Sequence, residues 1–307
     1  MTKAVSNPLL VPPPHQGPPI PYQQLLEEAR ETLPSFLPTK AKEVMLALDV
    51  DGTLLQPEGA SQNVRRAVSD ALDAGINIVI ATGRGRPSTR PVFESLNLPD
   101  GFSVSSNGAQ TFEWHRPEGG EHQSRLLREV RFQPEEAARI VLDALPNALI
   151  GVDDGVDGLL VSEYFPKGEL LSKERVVPID KLLKFSTPRL VVRAPWMERD
   201  HFADIMDGLP LENVEYSVGW TAWVDISPAG VTKASGLEQL VGDLGVPKQG
   251  TIAIGDGTND IEMLQWAAHG VAMGGATEQV KAAADAVAGP VDYDGAAAVI
   301  EALVERY

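Results

Sequence analysis

The sequence contains no cysteine among its 307 residues. Disulfide bonds and thiolate metal sites are therefore excluded, and a reducing compartment such as the cytoplasm is the expected location. No run of roughly 18 consecutive apolar residues occurs, so we expect no transmembrane helix. Proline interrupts the apolar stretch from Asn7 to Tyr22 before it reaches the length of a signal-peptide core, and this stretch is typical of a flexible arm.

Basic residues are few in comparison with acidic ones. The chain has 26 lysines and arginines against 43 aspartates and glutamates, which gives a formal charge of −17. Such a surface repels a phosphate backbone, and we expect no nucleic-acid partner. A small anionic substrate remains compatible, because a local cluster of donors and a metal outweighs a distant field.

The chain shows alternating strand and helix patterns after its amino-terminal arm. Val44 to Leu48 and Ile76 to Ala81 are short apolar runs typical of strands that are covered on both faces. Between them, apolar residues recur at helical spacing from Asn63 to Ala74, and Gly75 then ends the helix. This alternation predicts an α/β fold with a doubly wound parallel sheet and right-handed crossovers.

The alternation changes from Phe112 to about Ile226. Hairpin-like segments and two isolated helices in this region predict a separate α+β unit inserted into the α/β domain. The length of the chain also exceeds that of one usual domain. We therefore predict an arm with a short helix at 1–42, a core made of 43–111 and 227–307, and an α+β cap at 112–226.

Chemically useful side chains follow the predicted parallel strands, where ligands collect in open α/β sheets. Lys233 opens a helix where the chain returns from the inserted unit. The groups expected at this rim are Asp49, Asp51, Thr82, Arg84, Lys233, Asp256, Asn259 and Asp260.

A cluster of carboxylate side chains that includes no cysteine or histidine suits a hard cation such as Mg²⁺. This ion binds one or two carboxylates together with a substrate phosphate. Next to such an ion, Asp49 can attack phosphorus and Asp51 can serve as general acid and then as base. The main-chain N–H groups of Gly52 and Thr53 are predicted to donate hydrogen bonds to the phosphate. The remaining phosphoryl oxygens are assigned to Thr82 and Lys233.

Five segments resemble, in order, the motifs of the haloacid dehalogenase-like phosphatases, and more narrowly their Cof-type sugar-phosphatase branch. That branch has a Rossmann-like core and an α+β cap inserted between the second and third motifs. The resemblance covers the chain from Val44 onwards. Its segments are DVDGT (49–53), ATGR (81–84), SNGA (106–109), GVTKASGL (230–237) and GDGTNDIEML (255–264).

The resemblance implies a nucleophile at Asp49, an acid/base at Asp51, and a phosphoryl group bound by Thr82 and Lys233. It implies that Mg²⁺ lies on the Asp49 carboxylate, the main-chain carbonyl of Asp51, and Asp256. Around them, Asn259 and Asp260 complete the phosphate and metal surroundings. Substrate contacts are also expected at Gly83, Arg84 and Asn107. For Arg84 and Asn107, an equal alternative is that they fix the conformation of the loops.

The resulting hypothesis is hydrolysis of a small phosphomonoester, such as a sugar phosphate, with Mg²⁺ as cofactor. The alternatives are a phosphomutase on the same core, a phosphoaspartate receiver, and a binding protein without catalysis. Specificity is expected in the inserted unit, around 153–164 and 220–223. Trp220 and Trp223 have two interpretations there, because aromatic residues in a strand pair either line a pocket or pack in a core.

Overall fold

A computed structural model describes residues 11–155, 158–170 and 172–307. The first ten residues of the predicted arm therefore lie outside the described residues, as do two positions of the predicted specificity segment 153–164. Among the described residues, no helix combines the length and the apolar character needed to cross a bilayer.

The strands are numbered in chain order. They are β1 (Met45–Leu48), β2 (Leu55–Gln56), β3 (Gly59–Ala60), β4 (Asn77–Ala81), β5 (Asp100–Ser105), β6 (Gln110–His115), β7 (Gln123–Glu129), β8 (Leu149–Asp153), β9 (Gly158–Val161), β10 (Lys173–Val176), β11 (Leu190–Arg193), β12 (Val214–Val218), β13 (Trp223–Pro228), β14 (Thr251–Gly255), β15 (His269–Ala272) and β16 (Ala286–Val287).

The helices are numbered in the same way. They are α1 (Tyr22–Thr32), α2 (Gln62–Asp73), α3 (Arg86–Leu96), α4 (Glu135–Ala144), α5 (Ile179–Leu182), α6 (Arg199–Asp207), α7 (Lys233–Leu244), α8 (Ile261–Trp266), α9 (Glu278–Ala282) and α10 (Gly295–Val304).

The larger sheet, here called the core sheet, has the order β16-β15-β14-β1-β4-β5-β6-β7. The six strands from β16 to β5 are parallel, and β1 lies between β14 and β4. Alternate residues of β1 enter two different apolar clusters: Leu46 and Leu48 belong to one, and Met45 and Ala47 to the other. Helices cover both faces, which explains the continuous apolar runs of these strands. The predicted α/β class with a doubly wound sheet is confirmed.

The second sheet, here called the cap sheet, has the order β10-β9-β8-β11-β13-β12. Its larger apolar cluster combines alternate residues of β8, β11 and β13 with α4 and α6. The opposite face carries a small cluster around Phe165, Val191 and Trp223. Helices therefore cover mainly one face, and the other face is left to line a cavity with the core sheet.

The predicted boundary of the inserted unit at residue 112 differs from the sheet topology. The hairpin of β6 and β7 extends the core sheet by antiparallel pairing with β5, and the cap sheet begins only at Leu149. A hairpin has the same turn and strand pattern whichever sheet it joins, so sequence alone does not separate the two cases. We propose to count residues 110–129 with the core.

Helix α1 packs near the other end of the chain. Its apolar side chains Leu25, Leu26 and Ala29 are buried in the same cluster as α10. The Tyr22 hydroxyl donates to Glu301 Oε2 at 2.8 Å. The predicted amino-terminal helix therefore exists and belongs to the core.

Candidate active site

Asp49 follows β1 at the carboxyl end of the core sheet. Its side chain is buried, and its main-chain N–H donates to Ile254 O of the neighbouring β14 at 3.0 Å. Asp256 follows β14, and Thr82 follows β4 on the other side of β1. Parallel pairing thus brings together three residues that are far apart in the sequence.

Lys233 lies beneath these acids and is completely buried. Its ammonium is 2.6 Å from Asp49 Oδ1 and 2.7 Å from Asp260 Oδ1. Burial is the largest single influence and lowers the pKa of Lys233, but the charges of Asp260 and Asp49 and the hydrogen bonds to them together outweigh it, so the pKa is raised overall. The lysine is therefore held in its charged form.

The start of α7 places this lysine. Thr232 caps the helix through its side chain, which accepts from the N–H of Ser235, and the Ser235 hydroxyl is bonded in return to the Thr232 N–H. Gly108 lies against the same turn with φ +103°, and a Cβ at Gly108 would be 2.0 Å from Thr232 O. The SNGA turn can approach α7 so closely only because glycine lacks a side chain.

Three buried carboxylates, those of Asp49, Asp256 and Asp260, form a group whose oxygens lie within 4.8 Å of one another. The pKa of Asp49 is raised to about 6, first by burial and next by the charge of Asp260, while Lys233 opposes this shift. Burial, followed by the charges of Asp49 and Asp260, raises the pKa of Asp256 well above its usual value. Lys233 alone does not neutralise three acids.

The donor set fits a hard divalent cation. Among the described residues, Asp49 Oδ2 is a buried oxygen without a hydrogen-bond partner. Carboxylate oxygens are the ligands that Mg²⁺ prefers, and a cation would lower the cost of these crowded charges. Asp49 and Asp256 are the residues best placed to hold it.

Asp260 already has defined partners on both oxygens. Oδ1 accepts from Lys233, and Oδ2 accepts from the N–H groups of Asp256 at 3.0 Å and Gly257 at 2.9 Å. Asp260 therefore holds the 255–260 turn and the lysine in place. Its part as a metal ligand stays a prediction.

Asp51 is paired with Arg84 in a two-pronged contact. Arg84 Nε donates to Asp51 Oδ2 at 2.8 Å, and Nη2 donates to Oδ1 at 2.5 Å. The guanidinium is buried, and Asp51 lines the cavity. Arg84 is expected from the sequence either to contact the substrate or to fix a loop. This geometry favours the second role, in which Arg84 fixes the loop that carries Asp51.

The predicted phosphate donors of the DVDGT loop are engaged within that loop. The Gly52 N–H donates to Leu55 O and the Thr53 N–H to Val50 O, both at the long distance of 3.4 Å. Gly52 has φ +86°, and a Cβ there would be 2.2 Å from Asp256 Oδ2. Glycine is therefore required at this position, and donation to a phosphate stays a prediction.

Thr82, Gly83 and Asn259 line the cavity, as does Arg84. Asn107 instead lines a smaller neighbouring cavity, adopts φ 53°, and accepts a hydrogen bond from Asn259 Nδ2 at 2.9 Å. Its main-chain N–H donates to Thr82 O at 3.1 Å. Of its two interpretations, Asn107 thus has the contacts of a residue that fixes the rim.

The cap sheet closes the cavity, whose volume is about 110 Å³. One water occupies about 30 Å³ in the liquid, so this space corresponds to only a few water molecules. Trp220 and Trp223 both line the cavity. Trp223 also packs edge-to-face on Phe165, so this residue both lines a pocket and packs in an apolar cluster.

Sequence reasoning missed Arg189, which precedes β11. Its guanidinium donates to Gly83 O at 2.8 Å and lies 3.4 Å from Asp225 Oδ1 and 3.8 Å from Asp153 Oδ2. Burial raises the pKa of both carboxyl groups, and the charge of Arg189 opposes the shift. An arginine beside an apolar strand gives no sequence signal for this contact across two sheets.

A family model described as haloacid dehalogenase-like hydrolase matches residues 46–147 and 169–300 of the chain. The Escherichia coli (strain K12) protein named pyridoxal phosphate phosphatase YbhA is 29% identical over 277 residues, which are 83% of this chain and 97% of that protein. The solved structure of the haloacid dehalogenase subclass IIB sugar phosphatase BT4131 is similar with a TM-score of 0.69 and 25% identity. That similarity covers 85% of this chain and 98% of the other.

The Arabidopsis thaliana protein named endoribonuclease YBEY, chloroplastic, is 30% identical over 281 residues. These are 85% of this chain but only 46% of that protein, so the chain spans about half the length of this relative.

Proposed function

Because this chain belongs to the haloacid dehalogenase-like hydrolases, we propose that it is a Mg²⁺-dependent phosphatase that hydrolyses a small phosphomonoester through an aspartyl-phosphate on Asp49. The observation that carries the proposal is the position of Asp49 at the cavity, with one oxygen on Lys233 and the other without a partner among the described residues. A carboxylate held in this way has a fixed direction of attack.

In the first step, an Asp49 oxygen forms a bond to phosphorus while the bond from phosphorus to the ester oxygen breaks. Asp51 gives a proton to the leaving alcohol. In the second step, water attacks phosphorus, Asp51 takes the proton of that water, and inorganic phosphate leaves Asp49. Arg84 holds the Asp51 carboxylate at the cavity by donating to both of its oxygens, so one oxygen has to part from the guanidinium for each proton transfer.

Lys233 and Thr82 are assigned to the phosphoryl oxygens, whose charge is redistributed in the transition state. A Mg²⁺ ion held by Asp49 and Asp256 would neutralise part of this charge. Residues of the cap sheet line one side of the cavity, and exclusion of bulk water on substrate binding would strengthen each electrostatic contact.

The substrate is proposed to be a sugar phosphate or a comparable small metabolite. Two relatives support this class by their names, a pyridoxal phosphate phosphatase and a sugar phosphatase. The cavity also contains both an indole surface at Trp220 and polar groups at Arg189 and Asp225, a combination suited to binding a ring that carries hydroxyl groups.

The test is release of inorganic phosphate from a panel of sugar phosphates, nucleotides, pyridoxal phosphate and an aryl phosphate. We expect hydrolysis by the parent, loss after chelation, recovery with Mg²⁺, and a fall of about 10⁴-fold in kcat for Asp49→Asn. Asp73→Asn, an exposed acid at the end of α2, is the matched control. Undiminished turnover by Asp49→Asn would contradict the proposal, and phosphate transfer to sugar without free phosphate would indicate the phosphomutase alternative.

A further inference from the structure

Trp220 contacts the predicted metal site from the cap sheet. It lies in the turn between β12 and β13, and its indole N–H donates to Asp256 Oδ2 at 3.2 Å. Asp256 itself follows β14 of the core sheet and is buried. The contact therefore joins a residue of one sheet to a carboxylate of the other.

This contact is part of a docked surface. Ser217 Oγ lies 2.9 Å from Thr258 Oγ1, so β12 touches the same 255–260 turn at a second point. Gly52 lies against Asp256 Oδ2, the oxygen that Trp220 contacts. A Cβ at Gly52 would be only 2.2 Å from this oxygen. The Asp256 carboxylate thus has little freedom to rotate while Trp220 is in place.

A neutral donor is the right partner for a metal-binding carboxylate. Hydrogen bonds from outer groups orient such ligands, and losing one typically costs about 10- to 100-fold in metal affinity. The indole N–H carries no charge that would repel a cation, and it occupies only one of the two oxygens of Asp256. An ion shared with Asp49 would bind the other oxygen.

We propose that Trp220 is a positioning residue, which orients Asp256 for Mg²⁺ when the cap sheet is docked on the core sheet. The inference rests on the proposed function, since it takes Asp256 as a metal ligand. Because coupling between two binding events is reciprocal, docking of the cap sheet and binding of the ion strengthen each other. Metal affinity is then a property of both sheets.

The test is binding of Mn²⁺ to the purified chain of residues 1–307 by calorimetry, without any substrate. Trp220→Phe keeps the aromatic packing and removes the N–H donor, and we expect its Kd for Mn²⁺ to rise about 10-fold. The matched control is Trp266→Phe, since the Trp266 indole also donates to a carboxylate, that of Glu238, outside the cavity. We expect its Kd to equal that of the parent.

Measuring metal affinity without substrate separates positioning from substrate contact, because Trp220 also lines the cavity. Ser217→Ala removes the neighbouring contact between the sheets by a milder change, and it keeps the proposal testable if Trp220→Phe does not fold. We expect Ser217→Ala to raise the Kd about three-fold, as for loss of one hydrogen bond.

Asp256→Asn distinguishes the two ways in which this proposal can fail. If Trp220→Phe binds Mn²⁺ as the parent does while Asp256→Asn has lost binding, the role of Trp220 is overturned and the proposed function stands. If Asp256→Asn also binds Mn²⁺ as the parent does, the metal site lies elsewhere, and both the role of Trp220 and the proposed use of Asp256 are overturned.

Discussion

The Lys233 ammonium lies 2.6 Å from Asp49 Oδ1, although 184 residues separate the two in the chain. We expect Lys233→Met to lower the free energy of unfolding by about 3–5 kcal/mol, because the substitution leaves buried carboxylates without their cation. Urea unfolding in the presence of a chelator measures this loss. Added Mg²⁺ should recover part of it, since the proposed ion site uses the same acids.

A matched control for this substitution is Lys248→Met. Lys248 pairs with Glu238 at 3.4 Å, and both side chains are at least half exposed. Exposed pairs contribute about 1 kcal/mol or less. Equal losses in the two variants would contradict the view that the buried cation stabilises the acid group.

Arg84 should act through Asp51 rather than on the substrate. In Arg84→Gln the two-pronged contact is lost and the proposed acid/base Asp51 is held less firmly, so kcat should fall about 10²-fold with little change in KM. Steady-state kinetics on the best substrate measure both constants. Arg90→Gln, which removes an exposed arginine paired with Glu121, serves as control. A rise in KM with unchanged kcat would instead identify Arg84 as a substrate contact.

Two glycines of α7 should respond in opposite directions to alanine. A Cβ at Gly236 would lie 2.6 Å from Val104 Cγ1, whereas a Cβ at Gly242 would meet no heavy atom within 4 Å. We expect Gly236→Ala to destabilise by about 1–3 kcal/mol through overpacking. Gly242→Ala should stabilise by about 0.5–1 kcal/mol through helix propensity. Thermal unfolding compares the two, and the same sign in both would refute the close packing of α7 on β5.

The buried Asp153 should make stability depend on pH. Burial raises the pKa of Asp153 in the folded state above the value of about 3.9 that it has in the unfolded chain. At a pH between these two pKa values, the folded chain therefore binds more protons than the unfolded chain. Its charge therefore destabilises the fold as pH rises through this window. Relative to Asp153→Asn, the parent should lose stability from pH 4 upwards, by at most about 1.4 kcal/mol per pH unit. A difference in Tm that stays constant with pH would argue against this shift.

The alternation of apolar runs was sufficient to predict the parallel sheet, because a short continuous apolar run is typical of a strand covered on both faces. The resemblance of five segments to one family is confirmed by the family match over 46–147 and 169–300. The convergence of Asp49 and Asp256 followed from strand ends meeting at one edge, and that of Lys233 from the helix that begins where the chain returns to the core. The roles of these residues in catalysis remain predictions.

Contacts between the two sheets could not be predicted in the same way. The contact from Arg189 to Gly83 O and that from Trp220 to Asp256 depend on how the cap sheet docks, and docking leaves no periodic pattern in the sequence. The hairpin at 110–129 presents a similar difficulty, because its antiparallel strands have the same sequence pattern whichever sheet they extend.

Helix α1 and its partner α10 are synthesised far apart in time. The residue that pairs with Tyr22, Glu301, follows it by 279 positions. On a ribosome that adds roughly 5–20 residues per second, the wait is on the order of tens of seconds. During that time Leu25 and Leu26 have no α10 to cover them, so these apolar side chains stay exposed on the nascent chain until α10 is made.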